Sequence, residues 1–276
     1  MKKILAAVVP DFMKPKLRLI HQHISDVIYE IKHPDTMVPP ELSNFVGKGD
    51  FEQHGQNFIR HFIDLADLQP DHRVLDVGCG IGRMAIPLTD YLSPQGGYWG
   101  FDIVKKGIKW CQKRISSKFH NFHFQHSDVY NLHYNSRGKI QGQDYQFPYE
   151  SNFFDFVFLT SVFTHMLPAD MEQYLSEISR VLKTGGKCLI TFFILNEEAM
   201  HLIQTGQSTQ DFKYQLDGCS TTNLEYPEAA IAYSEEYIIE TYKKYGLSIT
   251  HPINYGNWCD RENFLSYQDI IVASKE

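Results

Sequence analysis

The chain has 276 residues, enough for one large domain or two small ones, and we expect one. Hydrophobic residues make up 43% and charged residues 21%, which is typical of a globular protein and excludes a disordered or fibrous chain. The formal net charge of −7 offers no broad basic surface to a phosphate backbone, so nucleic acid is disfavoured as a partner.

The N-terminal residues and the cysteines indicate the cellular compartment in which the protein is expected. The first residues form a short apolar run that meets Pro10 and Asp11, so we do not expect a secretion signal. Five cysteines, an odd number without C-x-x-C pairs, favour neither a disulfide framework nor a zinc site. We therefore expect a cytoplasmic protein without a metal. No stretch approaches the roughly 20 apolar residues of a membrane span, and we expect no membrane partner.

Two helices are predicted before the first strand. The second covers residues 51–68, where apolar residues recur at helical spacing. A loop with Pro39-Pro40 precedes it, and we place a boundary at its end, between an accessory segment (residues 1–50) and the main domain (residues 51–276). The first helix covers residues 19–31, ends at His33-Pro34, and has five apolar residues on one face: Ile20, Ile24, Val27, Ile28 and Ile31.

Strands and helices then alternate, which predicts a doubly wound, mostly parallel α/β sheet. Strands are predicted at residues 73–77, 97–102, 122–127, 154–159 and 187–194, and helices at 82–92, 105–116, 169–182 and 234–245. A glycine turn at residues 183–186 is expected to end the third of these helices.

The end of the chain and two insertions complete the predicted fold. The runs 247–255 and 268–273 are joined by a loop too short for a crossover helix, so they should pair antiparallel. Insertions at residues 131–150 and 196–232 are rich in aromatic residues. They could lie over the carboxyl ends of the strands as lids, or form a satellite core.

A glycine-rich turn joins the first strand to its helix. Gly78, Gly80 and Gly82 permit positive φ and close approach of a ligand, and the helix start offers backbone N–H groups to a carboxylate. Their spacing is G-x-G-x-G, with Arg83 where a dinucleotide-binding turn has its third glycine. Asp76 puts a negative charge beside the turn, which suits a cationic amino acid or a sulfonium, although Asp76 could also simply order the loop.

The next two strands also end in acidic residues. Asp102 lies about twenty residues after the glycines, where a carboxylate can accept hydrogen bonds from both hydroxyls of a ribose. Asp128, after the third strand, could accept from an adenine amine while Val129 offers its backbone N–H. The three strand ends together therefore favour an S-adenosyl ligand over a dinucleotide.

At these positions the sequence resembles the class I S-adenosylmethionine-dependent methyltransferases, over roughly residues 51–276. Further motifs that carry the resemblance are Phe153–Ser161 at the fourth strand and Arg180–Gly186 before the fifth. In that family the last strand lies between the fifth and sixth. The resemblance implies S-adenosylmethionine as cofactor, S-adenosylhomocysteine as product, and these cofactor contacts: Asp76, Gly78, Cys79, Gly80, Gly82, Arg83, Asp102, Ile103, Ser127, Asp128, Val129 and Thr160.

The acceptor is less well defined by the sequence. A sulfonium methyl is already activated, so a base is needed only for a weak nucleophile such as a hydroxyl. His165, after the fourth strand, is our candidate base, although it could instead pack the short helix there. His120, His123 and His126 alternate between strand faces and do not suggest a metal site. We expect a small-molecule O-methyltransferase, with an N- or C-methyltransferase as the near alternative.

The loop between the last two strands carries Tyr255, Trp258 and Arg261, which could bind an anionic or sugar-like acceptor or form a packed turn. Two other classes stay open: an NAD-dependent oxidoreductase, and a module that binds S-adenosylmethionine without catalysis. The sequence leaves the oligomeric state open and does not exclude a protein substrate.

Overall fold

A seven-stranded sheet organises the computed structural model, which describes residues 14–47 and 49–276. The apolar run considered for secretion lies outside these residues. The strands are β1 (Arg73–Val77), β2 (Gly97–Asp102), β3 (Phe122–His126), β4 (Phe154–Leu159), β5 (Leu182–Phe192), β6 (Ile194–Leu195), β7 (Tyr214–Leu216), β8 (Cys219–Thr221), β9 (Ile231–Ser234), β10 (Leu247–Asn254) and β11 (Asp269–Lys275).

The main sheet has the order β10-β11-β5-β4-β1-β2-β3. Strands β1 to β5 are parallel, and β11 runs antiparallel between β5 and β10. This confirms the predicted doubly wound α/β fold with its antiparallel C-terminal pair. The carboxyl ends of β1 to β5 therefore meet at one edge, where ligands bind in open α/β sheets.

The helices are α1 (Lys14–Lys32), α2 (Phe51–Ala66), α3 (Ala85–Tyr91), α4 (Lys105–Cys111), α5 (Pro168–Val181), α6 (Glu197–Gln204) and α7 (Glu235–Lys244). Helix α4 continues as a π-helical turn, Gln112–Ser116. Asp50 caps α2 by accepting from the Gln53 N–H, which fixes where this helix begins. Among the described residues, no helix combines the length and hydrophobicity required to cross a lipid bilayer.

Alternation along the buried strands divides the core into two layers. One face of the sheet packs against α2, α3 and α4, with Phe62 of α2 meeting Phe156 and Phe158 of β4. The other face packs against α5 and α7, with Leu175 and Tyr242 fully buried. Because both faces are covered, the strands read as nearly continuous apolar runs in the sequence.

The start of β5 differs from the prediction. The glycine segment expected to be a turn lies within β5, because Phe154 pairs with Leu182 while Phe156 pairs with Lys187. Two steps along β4 thus face five along β5, and the extra residues bulge out of the ladder. Gly185 has φ of +76°, which lets the chain return to the register without strain.

The second insertion forms a small sheet of its own, with the order β6-β9-β8-β7. A satellite cluster beneath it includes Phe193, Phe212 and Trp258. The insertion therefore has a core and holds a fixed position over the edge where β4 and β5 end.

Candidate active site

A cavity of about 390 Å³ opens at the carboxyl ends of the parallel strands. This volume lies within the range of roughly 300–1,000 Å³ typical of small-molecule sites. Its floor comes from the ends of β1, β2 and β4. Its walls come from Phe45–Gly47 of the N-terminal segment and from both insertions, which contribute Asn131, Tyr134, Gln210 and Glu228. Both insertions thus contribute to the cavity at the carboxyl ends of the strands, which is the first of the two arrangements considered from the sequence.

The glycine turn owes its shape to backbone conformation and to close packing. Gly78, Gly80 and Gly82 all have positive φ, of +82°, +59° and +89°. A Cβ on Gly80 would lie 2.5 Å from the Cγ1 of Val46. Gly82 packs against Ile115 beyond α4, where a Cβ would lie 2.8 Å from the Ile115 Cδ1, and Gly82 does not line the cavity.

Asp76 and Arg83 are the two buried polar side chains that decide whether the amino-acid end of a ligand fits this cavity. Asp76 is 1% exposed; its Oδ2 accepts from the Tyr98 hydroxyl at 2.5 Å, and its Oδ1 has no partner among the described residues. Burial raises the pKa of Asp76 to about 8. The buried Nε of Arg83 likewise has no partner, and burial lowers the Arg83 pKa to about 10.

Both side chains line the cavity, one as an acceptor and one as a donor. A group with an ammonium and a carboxylate, such as the methionine end of S-adenosylmethionine, would satisfy both. The residues present therefore fit this cofactor.

Asp102 closes the end of β2 and faces the same cavity, as does Ile103. Its Oδ2 accepts from the Gly80 N–H and its Oδ1 from the Val104 N–H, both at 2.7 Å. Burial raises the Asp102 pKa, and these two backbone hydrogen bonds oppose that effect. Each carboxylate oxygen has a further lone pair, so ribose hydroxyls can still donate to Asp102.

The third strand end only partly matches the prediction. Val129 lines the cavity, as Cys79 and Thr160 do at other strand ends, but Ser127 and Asp128 do not. The Ser127 hydroxyl is buried against the Tyr145 hydroxyl at 2.5 Å. The backbone carbonyl of Asp128 accepts from the N–H groups of residues 139 and 140, because the chain pairs here with the first insertion. Of the three residues predicted to contact adenine, only Val129 therefore lines the cavity, and the contact through the Asp128 side chain stays a prediction.

His165 ends a 3-10 turn, Phe163–His165, and lies in the cavity wall. Its Nδ1 is 2.9 Å from the carbonyl oxygen of Glu228 in the second insertion. A carbonyl only accepts, so Nδ1 carries the proton and Nε2 keeps its lone pair in the neutral ring. Burial lowers the His165 pKa, and the bond to the Glu228 carbonyl opposes this effect.

The acceptor side of the cavity contains residues that the sequence did not indicate. Asp170 of α5 and Glu228 both line it, and burial raises the pKa of both carboxyls. The Nδ2 of Asn131 donates to Glu228 Oε1 at 3.0 Å, which joins the two insertions above the cavity. Glu228 lies in the second insertion and Asp170 in the first turn of α5, and sequence pattern alone does not show where an insertion docks.

The loop predicted for acceptor binding lies elsewhere. Trp258 is fully buried, and its Nε1 donates to Asp269 Oδ2 at 2.7 Å. Arg261 pairs with Asp269 Oδ1 at 3.1 Å and with Glu198 Oε2 at 2.8 Å. The Tyr255 hydroxyl donates to Glu235. None of the three predicted residues lines the cavity, because a buried carboxylate holds the loop in the satellite core.

The sheet order, the glycine turn and the strand-end carboxylate define a class I S-adenosylmethionine-dependent methyltransferase. A family model described as "Methyltransferase domain" matches residues 68–243, and the chain belongs to this family. The resemblance seen in the motifs is thereby confirmed, as is the expected cofactor.

Relatives match over part of their length. The chain is 30% identical over 124 residues to the ubiquinone/menaquinone biosynthesis C-methyltransferase of Wigglesworthia glossinidia brevipalpis, covering 45% of this chain and 44% of the relative. It is 29% identical over 153 residues to phosphoethanolamine N-methyltransferase 2 of Caenorhabditis elegans, covering 54% of this chain and 29% of the relative. The chain thus spans less than half the length of either protein.

The fold matches solved structures over more of the chain. Magnesium protoporphyrin IX methyltransferase from Synechocystis, solved with bound SAH, has a TM-score of 0.53 and 15% identity, covering 94% of this chain and 99% of that one. This likeness shows the fold.

Proposed function

We propose that the protein transfers a methyl group from S-adenosylmethionine to a small-molecule acceptor, with S-adenosylhomocysteine as the second product. The unpartnered Asp76 Oδ1 and Arg83 Nε in the cavity support this donor, and family membership supports the reaction. We assign the activity to residues 51–276, with residues 1–50 as an accessory segment. Phe45–Gly47 of that segment contribute to the cavity wall.

The observation that carries the mechanism is the bond between His165 Nδ1 and the Glu228 carbonyl. It fixes the tautomer in which Nε2 is the base, as an orienting acceptor does for other catalytic histidines. The lowered pKa keeps the ring neutral near pH 7. We propose that Nε2 accepts the proton of an acceptor hydroxyl.

S-adenosylmethionine, when bound, supplies a methyl group already activated by its sulfonium. The chain has to hold the acceptor, remove its proton and exclude water. Asp76 and Arg83 bind the amino-acid end of the donor, Asp102 its ribose, and Val129 its base. The two insertions close over the acceptor through the Asn131–Glu228 hydrogen bond.

The test begins with a screen of metabolite pools for products that gain one methyl group. With the acceptor found, His165→Gln keeps an N–H donor for the Glu228 carbonyl but removes the base. We expect turnover to fall by roughly 10²–10⁴-fold with unchanged affinity for S-adenosylhomocysteine. The wild-type rate should fall as the pH drops through the lowered His165 pKa, and this limb should vanish in the variant.

His120→Ala is the matched control, because His120 is an exposed histidine that does not line the cavity. We expect it to keep wild-type turnover. If His165→Gln also keeps its rate, His165 is not a base, and transfer by alignment alone to nitrogen or carbon replaces this mechanism. If S-adenosylhomocysteine does not bind at all, the proposed donor is wrong.

One observation favours a nitrogen acceptor as the second candidate. Asp170 and Glu228 line the cavity, and no Lys or Arg among the described residues forms a salt bridge with either. An acceptor amine would supply the missing cation. Glu228→Gln should then raise KM for an amine acceptor by tenfold or more and leave KM for a neutral hydroxyl acceptor unchanged.

A further inference from the structure

Helix α1 exposes its apolar face. Five aliphatic side chains recur at helical spacing and share one side of the helix. Their exposed fractions are high for such residues: Ile20 54%, Ile24 53%, Val27 43%, Ile28 48% and Ile31 73%. A contiguous apolar stripe of this kind marks an interaction site more often than scattered surface residues do.

The opposite face of α1 attaches the helix to the protein body through polar contacts. Asp26 accepts from Ser43 Oγ at 2.7 Å and from Lys106 Nζ at 3.0 Å. Glu30 pairs with Arg114 at 3.3 Å and also with Lys113. An amphipathic helix of a globular protein ordinarily buries its apolar stripe and exposes its polar side, so α1 has the reverse orientation.

The first half of α1 is basic in sequence. Lys14, Lys16 and Arg18 begin the helix, and no acidic residue occurs between positions 12 and 25, although the whole chain carries a net charge of −7. A helix that combines basic residues with an exposed aliphatic stripe is typical of helices that lie in the plane of an anionic membrane surface.

We propose that the apolar face of α1, the stripe Ile20–Ile31, together with the basic residues that begin this helix, docks the protein on an anionic lipid surface. A second copy of the chain is the less suitable occupant, because a specific interface takes roughly 20–30 residues per side and the stripe offers five. In this arrangement α1 lies on the surface of a bilayer and does not span it. This docking does not depend on the proposed methyl transfer.

The docking surface lies close to the cavity along the chain. Ser43, which binds Asp26 of α1, is followed by Phe45–Gly47, which line the cavity. The segment that attaches α1 to the protein body is therefore continuous in the chain with the N-terminal wall of the cavity.

The experiment is co-sedimentation of the full chain with vesicles of phosphatidylcholine, alone or mixed with phosphatidylglycerol. We expect binding to the mixed vesicles that weakens as salt is raised. Ile24→Asp with Ile28→Asp should lower the bound fraction more than about tenfold. Lys16→Glu with Arg18→Glu should lower it about tenfold or more on the anionic vesicles.

Ile239→Asp on α7 is the matched control, since Ile239 is an aliphatic residue 39% exposed on another helix. It should bind vesicles as the wild type does, and all variants should keep the wild-type unfolding midpoint. Absence of vesicle binding by the wild type would overturn the proposal, as would equal binding by the Ile24/Ile28 variant. A dimer in sedimentation equilibrium that the Ile24/Ile28 variant abolishes, without vesicle binding, would assign the face to a second copy.

Discussion

Replacing Asp76 by Asn should stabilise the ligand-free fold at neutral pH. An aspartate in the unfolded chain titrates near 3.9, whereas burial raises the Asp76 pKa to about 8. At pH 7 the folded protein therefore keeps a proton on Asp76 that the unfolded chain releases. This difference lowers the free energy of unfolding by about 4 kcal/mol. The new amide places an unpaired N–H where Oδ1 was, which costs about 1–3 kcal/mol. The net gain should be about 1–3 kcal/mol.

The stability difference between the Asn variant and the wild type should depend on pH. Because the folded pKa of Asp76 is raised, the wild-type fold loses stability as the pH rises from about 4 to about 8. The Asn variant lacks this contribution, so its advantage should grow over that window and level off above it. Urea unfolding at about pH 5, 7 and 9, with both proteins in parallel, measures the difference and cancels the contributions of the other buried carboxyls.

The same substitution should weaken the cofactor site. Asp76 Oδ1 has no partner among the described residues and is our proposed acceptor for the ammonium of the donor; a hydrogen bond to a charged group contributes about 1.5–3 kcal/mol. Calorimetry with S-adenosylhomocysteine should therefore show a Kd about 10–150 times higher. Unchanged affinity together with a stability difference independent of pH would refute the assignment of Asp76 as a buried, ligand-facing carboxylate.

Two further substitutions, with a third as the control for one of them, separate structural from ligand-binding roles. Arg261→Ala leaves Asp269 buried without its cation, so we expect a loss of about 3–5 kcal/mol in urea unfolding and an unchanged acceptor KM; a raised KM in a stable variant would restore the sequence prediction. Gly80→Ala should both destabilise the fold and weaken S-adenosylhomocysteine binding, because the new Cβ meets Val46. Gly185→Ala, with the same sign of φ but open space around it, should cost only the backbone strain and leave the affinity unchanged.

The parallel strands and much of the proposed donor site were predictable because they depend on local pattern, whereas the place of the last strand followed from the family resemblance. Buried strands read as apolar runs, and the turn needs glycine where φ is positive, as at Gly78 and Gly80. Asp102 could be placed because the carboxyl ends of parallel strands meet at one edge. These features are determined by residues close together in the chain.

The acceptor side was not predictable because it depends on how the insertions dock. Trp258 and Arg261 have the composition of a binding loop, but a single buried carboxylate, Asp269, draws both into the satellite core. Glu228 reaches His165 across 63 positions of sequence. The apolar stripe of α1 was predictable from the sequence. The polar contacts of Asp26, which hold the opposite face of the helix against the protein and leave the stripe exposed, were not.

The hydrogen bond between His165 and the Glu228 carbonyl also limits how this protein can diverge. The carbonyl belongs to the same insertion that covers the cavity, while the histidine belongs to the 3-10 turn after β4. Replacing side chains in the insertion can alter which acceptor fits and leave this carbonyl in place. Shortening or lengthening the insertion near Glu228 would move the carbonyl and remove the partner of Nδ1. Under the proposed mechanism, new acceptor preferences are therefore open to this chain through substitution, whereas insertions and deletions there would displace the proposed base.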